Sequence, residues 1–353
     1  MTARPRVRDD LVALEGYHSP QVDVRVRLNT NEAPTPPPQA FRDALAAELS
    51  RVEWNRYPDR GATELREGIA AFHDVPVEQI FVANGSNEVI QTLCLAYGGH
   101  GRTCAIFEPT YRMHDQIASV TGMSTAIGRR ADDLSLDVDE VKRVIAESNP
   151  AITFLCSPNT PPGMVEPPDA VKELADVAPG LLVVDEAYGQ FADWSALELV
   201  DEDRALVVTR TYSKTWSMAA ARLGYLIGPT WLVAELDKVV LPYHLDVAKQ
   251  IAGRIALRFV DEMNERVAEM VRERERLMAR LSTMPVHVWP SQASFVLFRP
   301  ESKAGHEVWQ ALLDRSILIR DTSSWPGLDG CLRVTIGTPA EDDAFLDALE
   351  EIL

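Results

Sequence analysis

The chain has 353 residues, 46% of them hydrophobic and 25% charged, and 35 Lys and Arg stand against 53 Asp and Glu for a formal charge of −18. That is ample side chain for a buried core, which excludes disorder as the main state. So acidic a chain repels phosphate backbones and anionic lipid, which argues against nucleic-acid and membrane-surface roles and requires that any bound anion be held by a local cluster of cations or N–H groups.

Residues 1–38 read as an irregular arm, because Pro34, Pro36, Pro37 and Pro38 forbid a continuous helix there. The charged start lacks the apolar core of a secretory signal, and no apolar run approaches the ~18–20 residues of a membrane span. Cys94, Cys104, Cys156 and Cys331 form no close pair and read as buried free thiols of a reducing compartment, so a cytoplasmic location is expected. The seven histidines show no metal-binding spacing, and no metal is expected. Helices are predicted at 39–50 and 61–73, then a strand at 80–83, a helix at 87–97, a strand at 103–107 and a helix at 111–121. Asp137 and Glu140 predict a capping box before Val138, Val141, Val144 and Ile145. A strand at 152–156, a helix at 168–177 and strands at 181–185, 205–209 and 223–227 follow. The strands are short and almost continuously apolar, the pattern of strands covered on both faces. The expected fold is therefore α/β, a large domain whose mostly parallel sheet is sandwiched by helices. After Pro242 the texture changes to a long helical stretch at 245–283 and then an α+β pattern, with a strand at 294–298, a helix at about 304–314, strands at 317–320 and 331–336, and a final helix from about 340. The predicted organisation is an arm at 1–38, a large domain at 39–240 and a smaller α+β domain at 241–353 packed with the arm.

The polar residues gather where the strands end. Ile80–Ala83 runs into Asn84-Gly85-Ser86-Asn87, Thr103–Phe107 into Glu108-Pro109-Thr110-Tyr111, and Ile152–Cys156 into Ser157-Pro158-Asn159. Leu181–Val184 runs into Asp185-Glu186-Ala187-Tyr188, and the 205–209 strand into Thr211-Tyr212-Ser213-Lys214. Ligands of open parallel sheets sit outside the carboxyl ends of the strands. A lysine there can form a Schiff base with an aldehyde, and an aspartate can keep a pyridinium nitrogen protonated. Tyr111 can stack on a ring, and Asn159 and Tyr188 can bond a phenolate oxygen. The Gly85-Ser86 turn opening a helix, with Arg222, can hold a phosphate. Together these describe pyridoxal 5′-phosphate.

With Leu28-Asn29-Thr30-Asn31-Glu32, Asn55-Arg56-Tyr57-Pro58, Ser157-Pro158-Asn159-Thr160-Pro161-Pro162-Gly163, Arg222-Leu223-Gly224-Tyr225, Ile319-Arg320 and Leu332-Arg333-Val334-Thr335-Ile336-Gly337 added in order, nearly the whole chain resembles the fold-type I, aspartate-aminotransferase-like enzymes. Within them it is most similar to the histidinol-phosphate aminotransferase family. It departs from that pattern at Asn87, where the family usually has Asp, and in the segment after the lysine, Trp216-Ser217-Met218-Ala219-Ala220-Ala221, which lacks the glycines usual there.

The resemblance implies transamination of L-histidinol phosphate with 2-oxoglutarate, Lys214, Asp185 and Tyr111 being catalytic. It implies a cofactor site of Ser86, Asn87, Tyr111, Asn159, Asp185, Tyr188, Thr211, Ser213, Lys214 and Arg222, completed by Tyr57 from a neighbouring subunit, hence a homodimer. It implies Tyr17, Asn159, Arg320 and Arg333 as substrate contacts. The apolar strands around the two arginines also favour burial, and a buried arginine needs an anion. An aromatic amino-acid aminotransferase and a threonine-phosphate decarboxylase remain open on the same fold. A cofactor-sensing transcription regulator would need a DNA-binding domain that residues 1–38 are too short to supply.

Overall fold

The computed structural model describes residues 4–12, 14, 16 and 22–353; Tyr17 lies outside the described residues. Among the described residues twelve strands build two sheets: β1 (Val26–Leu28), β2 (Ile80–Ala83), β3 (Thr103–Glu108), β4 (Ser124–Arg129), β5 (Ile152–Cys156), β6 (Leu181–Asp185), β7 (Leu206–Thr211), β8 (Gly224–Ile227), β9 (Val286–Val288), β10 (Phe295–Pro300), β11 (Ile317–Asp321) and β12 (Leu332–Thr335). The large sheet runs β2-β8-β7-β6-β5-β3-β4, and only β8 is antiparallel to its neighbours.

Alternation along its strands feeds three cores, one of which takes Ile80, Val82, Tyr225 and Ile227. Phe81, Ile106, Phe154, Val183, Val207 and Leu226 pack with helices Ser86–Tyr97, Met113–Val120 and Thr230–Val239. Phe107, Leu155, Leu182, Val184 and Val208 pack with helices Val138–Ser148 and Pro168–Val177. Burial on both faces is why these strands read as unbroken apolar runs.

The small sheet runs β1-β11-β12-β10-β9, with β1 of the arm parallel to β11 in the register Val26↔Ile317. Its apolar side packs on helices Val260–Leu281, Gly305–Asp314 and Pro339–Ile352. The 245–283 stretch is two helices, Val247–Ala256 and Val260–Leu281, divided at Leu257–Phe259.

Three strands, β1, β4 and β9, had no counterpart in the sequence reading. β4 follows β3 in the chain and takes the edge of the large sheet, so the strands that deliver polar residues to the site are not consecutive. The predicted capping box is half formed. Asp137 Oδ1 accepts from the N–H groups of Asp139 and Glu140, both at 3.1 Å, but the Glu140 carboxylate turns to Arg143. The reciprocal box forms instead between Thr338 and Glu341.

Candidate active site

A cavity of about 920 Å³ opens at the carboxyl ends of β5, β6 and β7, between the two sheets. Its lining brings together Ser86, Asn87, Tyr111, Asp185, Tyr188, Thr211, Ser213, Lys214, Arg222, Arg320 and Arg333. Asn159 and Tyr57 are not in that lining. Asn159 is fully buried behind it: its Oδ1 accepts from Thr110 Oγ1 at 2.9 Å and its Nδ2 donates to the Pro109 carbonyl at 2.9 Å. Tyr57 is 80% exposed and stacks on Tyr243, with ring centroids 4.5 Å apart.

One end of the cavity is a cradle for an anion. Gly85 takes φ +83 and leads into the helix Ser86–Tyr97, whose first N–H groups have no partner within the helix. A Cβ on Gly85 would stand 2.8 Å from Arg222 Nη2, so that end of the guanidinium packs directly against the turn. A Cβ on Gly224 would meet the Ser86 nitrogen at 2.3 Å. Arg222 has φ +51, a left-handed conformation uncommon for a side-chain-bearing residue. Its Nη1 donates to Ser213 Oγ at 3.2 Å, and Thr211 Oγ1 donates to the same oxygen at 3.0 Å. Three hydroxyl-bearing residues, a guanidinium and a helix start thus converge on one spot.

In the middle, Asp185 ends β6 and is 1% exposed. Its Oδ1 accepts from the Ala187 N–H at 3.2 Å and from Thr209 Oγ1 at 3.1 Å, and its Oδ2 stands 3.1 Å from His114 Nε2. His114 is fully buried, stacked on Phe154 at 4.7 Å and edge-on to Tyr111 at 5.3 Å. His114 Nδ1 has no hydrogen-bond partner among the described residues, and because the carboxylate can only accept, the ring hydrogen on Nε2 makes the bond to Asp185 Oδ2. Tyr111 Oη donates to Asn87 Oδ1 at 3.0 Å. His114 escaped the sequence reading because a lone histidine within a helix gives no signal of its contact with a residue 71 positions away.

Lys214 Nζ donates to the carbonyls of Asn31 at 2.7 Å and Thr30 at 3.3 Å, and stands 5.5 Å from the Tyr188 ring centre. Burial, with the positive charge of Arg333, pushes its pKa down to about 7; Glu32 opposes the fall. An amine with that pKa is substantially neutral, and hence nucleophilic, near neutral pH.

At the far end, Arg333 is 7% exposed; its Nη1 donates to Thr160 Oγ1 at 2.9 Å and its Nη2 to the Asn29 carbonyl at 3.3 Å. The guanidinium lies 5.0 Å from the Phe295 ring centre. Arg320 is its register partner on β11 and is half-buried. Leu14, Gly16 and Trp325 also line the cavity.

Residues 24–349 match the sequence profile of aminotransferase class I and II, and the chain belongs to that family. Within it, the chain is 42% identical over 356 residues to the histidinol-phosphate aminotransferase of Mycobacterium avium, covering 98% of this chain and 88% of that one. It is 43% identical over 357 residues to the enzyme of the same name from Mycolicibacterium smegmatis, covering 98% and 93%. The crystal structure of histidinol-phosphate aminotransferase from Sinorhizobium meliloti in complex with pyridoxal-5′-phosphate shares the fold, with a TM-score of 0.90 at 21% identity, covering 99% of this chain and 98% of that one. No helix among the described residues is long and apolar enough to cross a membrane.

Proposed function

We propose that the chain is a pyridoxal 5′-phosphate-dependent aminotransferase that converts L-histidinol phosphate and 2-oxoglutarate to imidazole-acetol phosphate and L-glutamate. One observation carries this reading: a single cavity holds a lysine of depressed pKa, a buried aspartate backed by a histidine, an anion cradle at one end and a pair of arginines at the other. The donor set fits the cofactor, since the Gly85 turn and Arg222 form a phosphate-sized cradle and Asp185 keeps a carboxylate in a buried setting. When bound, pyridoxal phosphate supplies an aldehyde for the amine and a ring that draws electrons away from the substrate α-carbon.

The chain's own residues do the rest. Ser86, Asn87, Thr211, Ser213 and Arg222 hold the phosphate. Asp185, braced by Thr209 and His114, keeps the ring nitrogen protonated. Tyr111 would cover one ring face, and Tyr188 and Asn159 would address the ring oxygen. Lys214 Nζ would hold the cofactor and, when free, would take up and return the substrate α-proton as general base and then acid. Arg333 holds the phosphate of one substrate and the α-carboxylate of glutamate in turn, with Arg320 toward the distal carboxylate. Tyr17, outside the described residues, adds a substrate contact.

Tyr57 serves the cofactor phosphate of a neighbouring subunit, so the working unit is a homodimer. Its 80% exposure, beside the exposed Trp54, Leu241 and Tyr243, supports an outward role. The arm at 1–38, the large domain at 39–240 and the small domain at 241–353 divide this work, the cofactor lying on the large sheet and the substrate anion on the small one. Four free buried thiols support a cytoplasmic setting.

Half-reaction spectra test the substrate. Histidinol phosphate converts the cofactor band fastest on this reading. A faster conversion by phenylalanine replaces it with an aromatic aminotransferase, and release of carbon dioxide from threonine phosphate replaces it with a decarboxylase.

A further inference from the structure

Asn31 belongs to the arm, yet it is only 3% exposed and touches three separate parts of the site. Its carbonyl accepts from Lys214 Nζ. Its N–H donates to Thr335 Oγ1 at 3.0 Å, two residues along β12 from Arg333, and Thr335 Oγ1 donates back to Asn31 Oδ1 at 3.1 Å. Its Nδ2 donates to Tyr188 Oη at 2.8 Å. Its φ of +55 is left-handed, a conformation that asparagine tolerates better than most residues.

The reciprocal pair with Thr335 fixes which way the amide faces. Turned over, the amide would present Nδ2 to Thr335, which already accepts a backbone N–H, and that buried hydroxyl would have no acceptor for its own proton among the described residues. So Nδ2 must face Tyr188. A phenol has one proton, and a tyrosine that accepts from Asn31 cannot also donate to it. The Tyr188 proton is therefore directed away from the arm, and the ring that carries it lines the cavity.

We infer that Asn31 is a positioning residue for Tyr188, holding the phenol as a donor toward the cofactor's ring oxygen and thereby setting how tightly Lys214 Nζ keeps its proton. This rests on the reading of Tyr188 as the partner of that oxygen. Burial raises the Tyr188 pKa to about 12, so the phenol keeps its proton through the working pH range. A donor on the ring oxygen stabilises its negative charge. Loss of the donor leaves that charge to attract the nearby proton, which Nζ then releases at higher pH.

The test is a spectrophotometric pH titration of the visible band in the cofactor-loaded protein, with Asn31→Asp, Asn31→Gly and Tyr188→Phe beside the wild type. In Asn31→Asp the new carboxylate has no N–H to give and accepts the Tyr188 proton, and its charge beside Lys214 adds to the effect, so the transition moves up by at least about one pH unit; the uncharged Asn31→Gly separates the lost donor from the added charge. Asn31→Gly keeps the left-handed backbone and both main-chain bonds, and moves the transition up by less. If Asn31→Asp fails to fold or load, the Asn31→Gly titration decides. A transition that moves in Tyr188→Phe but stays at the wild-type pH in the Asn31 variants overturns the inference alone. A transition unmoved in all three overturns the reading of Tyr188 beneath it.

Discussion

Arg320 and Arg333 face each other as register partners across the antiparallel β11–β12 pair, so two guanidinium-bearing side chains project from the same face of the small sheet into one cavity. Like charges directly opposite on paired strands are destabilising. In a chain of formal charge −18, that arrangement makes sense as a trap for an anion the rest of the molecule repels.

Removing either arginine should then weaken substrate capture more than it weakens the fold. A hydrogen bond to a charged group contributes roughly 1.5–3 kcal/mol, about ten- to more than a hundredfold in kcat/KM. Arg333→Ala is expected to lose that much with both histidinol phosphate and glutamate, and Arg320→Ala at least as much with glutamate. Arg333→Lys should recover only part, because it keeps the charge and not the fork. Arg320→Met should keep the wild-type fold, read by circular dichroism, while losing capture of glutamate. Kinetics on both substrates and circular dichroism decide this. Full activity of Arg333→Ala on histidinol phosphate would contradict the anion assignment.

Asp185 and His114 form a second pair open to test. Asp185→Ala and Asp185→Asn are both expected to lose orders of magnitude in turnover, since neither can hold the ring nitrogen protonated. His114→Phe keeps an aromatic ring against Phe154 but deletes the donor to Asp185 Oδ2, and about a ten- to hundredfold loss is expected. A small loss in either Asp185 variant would reduce that residue to a brace for the Ala187 turn.

The depressed Lys214 pKa has a direct kinetic reading. Below pH about 7 the amine is charged and held on the Asn31 and Thr30 carbonyls; above it the free base is available to attack. The rate of pyridoxal phosphate attachment should therefore rise with pH around a midpoint near 7, followed by stopped-flow absorbance. Arg333→Met removes a neighbouring positive charge and should move the midpoint upward. A midpoint near the ordinary lysine value of 10.5 would contradict the assignment.

Subunit sharing predicts complementation. Lys214→Ala and Tyr57→Ala proteins are each expected to be weak or inactive. After co-refolding, half of the dimers pair one of each, and each such dimer holds one intact site, so about a quarter of wild-type activity should return. No recovery on mixing would place Tyr57 in its own subunit's chemistry or outside it.

Much of this was legible in the sequence, for a physical reason. Strands covered on both faces are written as plain apolar runs, and the residues at their carboxyl ends fall on one edge whatever the loops do. β4 hid because it is a half-exposed edge strand with Gly128 within it and Ile127 49% exposed. β1 and β9 hid because three residues carry no period. The contacts of His114 and Asn31 hid for another reason. Asn31 reaches partners 157 and 304 positions away, and no local pattern records such meetings. The resemblance had already placed Asn31 in a family segment, but only the fold shows what its amide does.

The central claim is that Lys214 carries the cofactor, and borohydride trapping tests it most directly. Protein loaded with pyridoxal phosphate is reduced, digested and mapped by mass spectrometry. The label is expected on Lys214, with loss of the visible band, and Lys214→Ala should neither trap the label nor turn over. A label on another lysine, or a Lys214→Ala protein that still transaminates, would contradict the account.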